Sequence, residues 1–154
     1  MKIKILALAL IFITAACKTT SNTATKQESS PEQSDGITEK YWKLVEINGK
    51  PVEYNETMSR DVFIILKNED SRLTGNGGCN ALTGTYIIDR VTNRIRFSQI
   101  ASTMMACINM EIENELKKAL EMADNYSLSE DGKYLSLNRA RMAPLARFEV
   151  IYLQ

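Results

Sequence analysis

Two periodicities divide the chain beyond residue 36. Most of it alternates apolar and polar side chains with the period of a strand. The segment "YWKLVEINGKPVEY" begins as a strand and breaks at Asn48-Gly49, a tight-turn dipeptide. "DVFIILK", Asp61 to Lys67, is an unbroken run of β-formers and predicts a strand covered on both faces. "NEDS" then turns the chain into "RLTGN". "GTYIID" predicts a further strand, and a turn at Thr92-Asn93 leads into "RIRFS". There Ile95 and Phe97 would face the core, and Arg94 and Arg96 would face water. "YSLSEDGKYLSLN" predicts a hairpin around Asp131-Gly132. The closing "PLARFEVIYL" places Ala146, Phe148, Val150 and Tyr152 on one face, with Arg147 and Glu149 on the other.

The second period is helical and occupies about Asn109 to Asp124. Ile112, Leu116, Ala119, Leu120 and Ala123 recur at three- and four-residue spacing, which makes one apolar stripe. Asn109 suits the N-cap, and Glu111 and Glu113 suit the positive end of the helix dipole. Glu113 and Lys117 read as an i,i+4 pair on the wet side. The expected class is α+β: a small, mainly antiparallel β-sheet or partly open β-barrel with one α-helix packed on it.

Ahead of this region the composition changes twice. Lys2 and Lys4 precede an apolar run, Ile5 to Ile13, and small residues then lead to Cys17. That is the form of a secretory signal peptide. The run falls short of the roughly 20 apolar residues that a membrane span needs. Small residues directly before a cysteine resemble a bacterial lipobox, in which the cysteine receives lipid and becomes the new N-terminus. Thr14 stands where such motifs usually have Leu. The expectation is a signal peptide over 1–16 and a membrane anchor at a lipidated Cys17, with a plain soluble export signal as the alternative. Lys18, in place of the aspartate that retains such proteins at the inner membrane, favours the outer membrane. Residues 17–36 offer almost nothing to bury and predict a disordered tether. Residues 37–154 then suffice for one domain.

Charge is balanced at 19 basic and 19 acidic residues, so nothing suggests a nucleic-acid surface. The chain contains no histidine. This removes Ser-His and Cys-His nucleophile pairs, His-based metal sites and the commonest general base. With Cys17 lipidated, only Cys79 and Cys107 remain, too few ligands for structural zinc. In an exported protein, two cysteines predict a disulfide. The alternative is a pair of buried free thiols packed as small apolar groups. No metal and no cofactor is expected.

Cys79 sits in the chain's most unusual stretch, "LTGNGGCNALTGTY". A phosphate loop would lead from glycines into a helix, and this stretch leads into a strand pattern. A nucleophilic cysteine would need a base or a positive helix end. Dithiol redox chemistry usually uses Cys-X-X-Cys, and these two cysteines are distant in sequence. The favoured reading is structural: Gly75, Gly77, Gly78 and Asn80 permit a bend and a close backbone approach between strands.

"GNGGCNALTGTY", followed by "IRFSQIASTMMAC" and a helix, resembles the META domain of the HslJ-like heat-shock lipoproteins. The family's Gly-Cys-Asn segment corresponds here to Gly78-Cys79-Asn80. Its Thr-Met-Met-x-Cys segment corresponds to Thr103-Met104-Met105-Ala106-Cys107. "YWKLVEINGKPV" resembles the family's opening strand and turn, and "LARFEVI" its last strand. The resemblance implies a small, partly open barrel with one helix in the bacterial envelope. It also implies a role in stress tolerance with no established reaction.

Three functional expectations follow. The first is a non-enzymatic, monomeric envelope lipoprotein with a protein partner. The second is a lipid- or small-ligand-binding barrel resembling secretin-pilot lipoproteins. Met104, Met105, Met110 and Met122 would line its pocket, although such methionines more often fill cores. The third is an enzyme using the cysteines or carboxylates such as Asp61, Glu111 and Glu115. Arg139, Arg141 and Arg147 could form an anion patch, with paired surface charges as the plainer account.

Overall fold

The Asn48-Gly49 pair folds back the first strand, β1 (Tyr41–Ile47), onto the short β2 (Lys50–Pro51). Both turn residues have left-handed φ, +49° and +76°. That geometry matches the twist of the flanking strands, and Asn and Gly tolerate it best. The strands β3 (Val62–Lys67), β4 (Arg72–Gly77), β5 (Ala81–Asp89) and β6 (Arg94–Ser102) follow as an antiparallel meander. The helix α1 (Glu111–Met122) comes next, then β7 (Asn125–Leu128), β8 (Tyr134–Asn138) and β9 (Ala146–Ile151). The computed structural model describes residues 36–54, 60–108 and 110–152. The predicted signal peptide, Cys17 and the tether up to residue 35 lie outside the described residues, as does the predicted N-cap Asn109.

The nine strands form one antiparallel sheet in the order β2-β1-β3-β4-β5-β6-β7-β8-β9, and β1 also pairs with β9. That pairing runs from Tyr41↔Ile151 to Ile47↔Ala146 with a bulge between Leu44 and Glu46. On the opposite side β6 meets β7 only at Arg94↔Asn125. The sheet is therefore partly ring-like, with a gap along β6 and β7. The chain crosses this gap as α1, which packs on β6, β4 and β1. The expected α+β class with a partly open sheet and one packed helix is what forms.

Trp42, Leu44, Ile64, Leu66, Leu73, Ile95, Leu135, Leu137 and Phe148 are fully buried inside this curve. Leu116 and Leu120 of α1 close it from the gap side. The buried Trp42 indole donates to the Ile37 carbonyl at 2.7 Å, so its polar edge is satisfied. Tyr54 reaches over β1 and β3 and donates to the Leu44 carbonyl at 2.7 Å. Burial pushes its hydroxyl pKa well above the ordinary tyrosine value.

Three local expectations change. β3 is fully covered on one face only, where Val62, Ile64 and Leu66 have no exposure. Its other face is half-buried, and Phe63 there stacks on Tyr41 at 4.2 Å between centroids. Tyr152 does not continue the buried face of β9: it follows the strand's end and is 71% exposed. Glu113 is not on a wet side. It is 1% exposed, as deeply buried as the core.

Candidate functional site

β4 and β5 are joined across Gly77 to Asn80, with the Gly77 N–H donating to the Asn80 carbonyl at 2.8 Å. Gly78 takes φ +104°, which a side chain would rarely permit. Asn76 supports the bend by accepting the Gly78 N–H at 2.7 Å. This is the structural bend expected of the stretch. The glycines before it answer to neighbours. A Cβ on Gly75 would lie 2.2 Å from the Phe63 carbonyl oxygen, so β3 and β4 approach too closely for any side chain there. A Cβ on Gly77 would lie 2.4 Å from Cγ and 2.8 Å from Oε2 of Glu113.

Glu113 sits in the space that Gly77 leaves open. Its Oε2 accepts the Asn80 N–H at 2.8 Å, and its Oε1 accepts Asn80 Nδ2 at 3.1 Å. Lys117, one helical turn on, reaches Oε1 at 3.5 Å and Ser102 Oγ at 3.5 Å. The carboxylate is thus withdrawn from water against two amide donors and one ammonium. A buried charge is tolerated when it is paired and hydrogen-bonded in this way.

Asn80, itself fully buried, carries the network onward. Its Oδ1 accepts the Met105 N–H at 2.7 Å and the Thr103 hydroxyl at 2.8 Å. Its Nδ2 also points at the Met105 carbonyl at 3.3 Å. Thr103 is held further by the Ala81 N–H, which donates to its Oγ1 at 3.2 Å. Cys79 and Cys107 form a disulfide with Cα atoms 6.2 Å apart, inside the range that such bonds span. Cys79 Sγ also lies 3.6 Å from the Met105 carbonyl. A disulfide sulfur has no proton to donate, so this is packing alone. The strap from Thr103 to Cys107 is thereby fastened at both ends and in the middle.

The predicted motif residues Gly75, Gly77, Gly78, Cys79, Asn80, Thr103, Met105 and Cys107 meet at this one corner of the sheet. Only the backbone of Met105 takes part, and its side chain is 56% exposed. Met104 is 99% exposed, and Ile108, just past the disulfide, is 98% exposed. Neither methionine lines either described cleft or fills the core, and Met122 is also exposed. Of the two clefts described, one of about 410 Å³ runs between β2 and the start of α1. Ile47, Val52 and Ile112 line it with Lys50, Glu111 and Glu115, and no methionine does. The other, about 320 Å³, lies where the chain enters the domain at Gly36.

A chain with this corner, this sheet order and one gap-crossing helix can be placed among known proteins. A model of the META domain matches residues 35–150. The chain belongs to the META domain family. Three solved structures share the fold of this META domain at low identity. An NMR structure of a protein from Burkholderia xenovorans is 18% identical with a TM-score of 0.55, covering 75% of this chain and 83% of that one. A further protein solved by NMR is 19% identical with a TM-score of 0.56, covering 74% and 91%. A crystal structure of a DUF4847 family protein from Bacteroides vulgatus is 18% identical with a TM-score of 0.54, covering 75% and 95%. No curated protein sequence matches the chain.

The other candidates are dispersed over the META domain. Asp61 pairs with Lys43 at 2.9 Å. Glu115 accepts from Asn48 Nδ2 at 2.7 Å and pairs with Lys118 at 2.8 Å, which ties the β1–β2 turn to the helix. The Lys118 hydrogen bond, followed by its charge and the Asn48 donor, lowers the Glu115 pKa. Glu111 is exposed at the first helical position. Arg147 lies 4.6 Å from the Tyr134 ring centroid, Arg139 Nη1 is 3.8 Å from Met122 Sδ, and Arg141 is exposed. The contacts of Arg147 and Arg139 are separate and local.

Glu113 is the site residue that sequence reasoning missed. Its signal was present, because it precedes Leu116 by three residues and Leu120 by seven. Those offsets place it on the apolar face. The attractive pairing with Lys117 drew it to the other one.

Proposed function

We propose that this META-domain protein is a non-enzymatic lipoprotein of the bacterial cell envelope, anchored through Cys17. It serves stress tolerance by presenting a rigid corner to an envelope protein partner. The observation that carries this reading is the corner's chemistry. Both of its cysteines are spent in a disulfide, and its buried carboxylate and amide are spent on one another and on the Thr103–Met105 backbone. What it leaves outward is apolar side chain: Met104, Met105 and Ile108. The disulfide is in keeping with an oxidising compartment. The chain enters the domain beside Arg90, at the turn before β6, and the strap leaves the far end of that strand. Nine strand residues span roughly 30 Å. The apolar knob therefore lies at the other end of β6 from Gly36.

The test is to express the full chain in a bacterium fed an alkyne-tagged fatty acid, beside Cys17→Ser. The expected result is label and membrane pelleting for the parent chain, and loss of both for the variant. An unlabelled parent chain in the soluble fraction would end the lipoprotein reading. A second reading, binding of a small ligand, has one observation in its favour: the cleft of about 410 Å³ between β2 and α1. A ligand retained in native mass spectra and lost on Ile112→Trp would bring that reading forward.

A further inference from the structure

Methionine is ordinarily among the residue types most often buried. In this domain the usual placement is reversed. Met104 is 99% exposed, Met142 66%, Met105 56% and Met122 40%, and Met110 is half-buried. None of the described methionines belongs to the core cluster.

Among the described residues, the thiols and the indole have been withdrawn from oxidation. Cys79 and Cys107 are already a disulfide. The chain's one tryptophan, Trp42, has no exposure, and histidine is absent. A two-electron oxidant arriving at the described surface therefore meets thioether sulfur as its softest partner, and meets Met104 first.

We infer that the Met104–Met105 pair is an oxidative modification site that converts the apolar knob of the strap into a polar one. The oxidant is of the hypochlorous acid class. A sulfur lone pair forms the S–O bond as the O–Cl bond breaks, and chloride leaves with the electron pair. The hydroxyl proton passes to water, so the net change is thioether plus HOCl to sulfoxide plus chloride and a proton. The thioether is oxidised by two electrons, and the chlorine is reduced by two.

The strap tolerates this change because the methionine side chains do not hold it. Its fastenings are the Met105 N–H to Asn80 Oδ1, the Thr103 hydroxyl to the same oxygen, and the disulfide at Cys107. Sulfoxide formation leaves all three in place. What changes is the outward surface, since a flexible apolar side chain becomes a polar, chiral one. Ile108 then stands alone as the exposed apolar group beside the disulfide. The consequence for docking rests on the proposed partner-binding role, whereas the modification itself does not.

The test uses the full chain in detergent, treated with less than one equivalent of hypochlorous acid and mapped by fragmentation mass spectrometry. The expected order of oxygen uptake among the described methionines is Met104, Met142, Met105, Met122, then Met110, with Met104 several-fold faster than Met110. Near-UV circular dichroism and the melting temperature should not move at first modification. Met104→Leu should remove the fastest event and keep the fold. Equal rates at Met104 and Met110, or loss of near-UV signal in step with Met104 oxidation, would overturn the inference. Binding of an apolar dye should fall on oxidation of the parent chain and hold in Met104→Leu/Met105→Leu. Correct mapping with unchanged dye binding would leave the site standing and sink its role as a surface switch.

Discussion

Two tight connections in this sheet are built on opposite plans. The β7–β8 turn is self-contained. Ser129 Oγ and Asp131 Oδ1 share a 2.7 Å hydrogen bond, and Asp131 Oδ1 accepts the Lys133 N–H at 3.1 Å. The Tyr134 N–H returns to Ser129 Oγ at 2.9 Å. Gly132 takes φ +70°, and a Cβ on it would meet nothing within 4 Å. The β4–β5 connection is held from outside. Asn80 and Glu113 are 33 residues apart, and Cys79 and Cys107 are 28 apart. The first turn needs only its own few residues, whereas the second exists because helix and strap are already in place. Damage should therefore stay local in one and spread in the other.

The largest effect is expected from Cys79→Ser/Cys107→Ser. Opening a loop of 28 residues frees unfolded-chain entropy and should cost about 3–4 kcal/mol in urea denaturation. Glu113→Ala comes next, at about 3 kcal/mol, because it strands the buried Asn80 donors and Lys117 together. Glu113→Gln, which keeps one acceptor oxygen, should lose about half of that.

Gly77→Ala should cost about 2 kcal/mol by forcing Glu113 out of its place. The informative measurement is the double-mutant cycle with Glu113→Ala. A coupling of about 1 kcal/mol or more is expected, since the smaller residue removes the clash. Strict additivity would mean that the glycine is there for another reason. Gly132→Ala marks the other pole of the comparison, at about 1 kcal/mol from left-handed backbone strain alone. It should couple to nothing in α1.

The smallest effect concerns pH. The Ser129 hydroxyl, followed by the Lys133 N–H, holds the Asp131 pKa below the usual aspartate range. A depressed folded pKa gives stability that is present above the unfolded value, about 3.9, and lost as pH falls through the folded one. Asp131→Asn should make the acid limb of a melting-temperature profile slightly shallower. An unchanged limb would assign the acid sensitivity to other carboxylates. Glu39, whose pKa is lowered by the Asn68 N–H and then by Lys67, is the first to examine.

The same division decides what was readable in advance. The Asn48-Gly49 and Asp131-Gly132 turns, the alternation at Ile95 and Phe97, and the helical stripe through Leu116 and Leu120 were all legible. Each depends on the conformational preference of a few neighbouring residues or on a short repeat. The structural role of the Gly-Cys-Asn stretch was legible as a bend, and the pairing of Cys79 with Cys107 as a disulfide. Which acceptor filled the bend was not. A carboxylate beside a lysine at i+4 reads as solvated, and nothing local says that two amide donors of Asn80, from the β4–β5 bend, will replace its water.

The methionines show the same limit from the other side. Met104 and Met105 are apolar, and composition assigns them inward. The backbone around them is instead tied to Asn80 and Cys79, and that leaves their side chains facing out. Local sequence determined the elements and their turns, and the absence of histidine limited what Cys79 and Cys107 could do. Tertiary structure alone decided that Glu113 is buried and Met104 exposed. Burial is a property of what else arrives at the same place, and those groups come from strands and helix turns far apart in the chain.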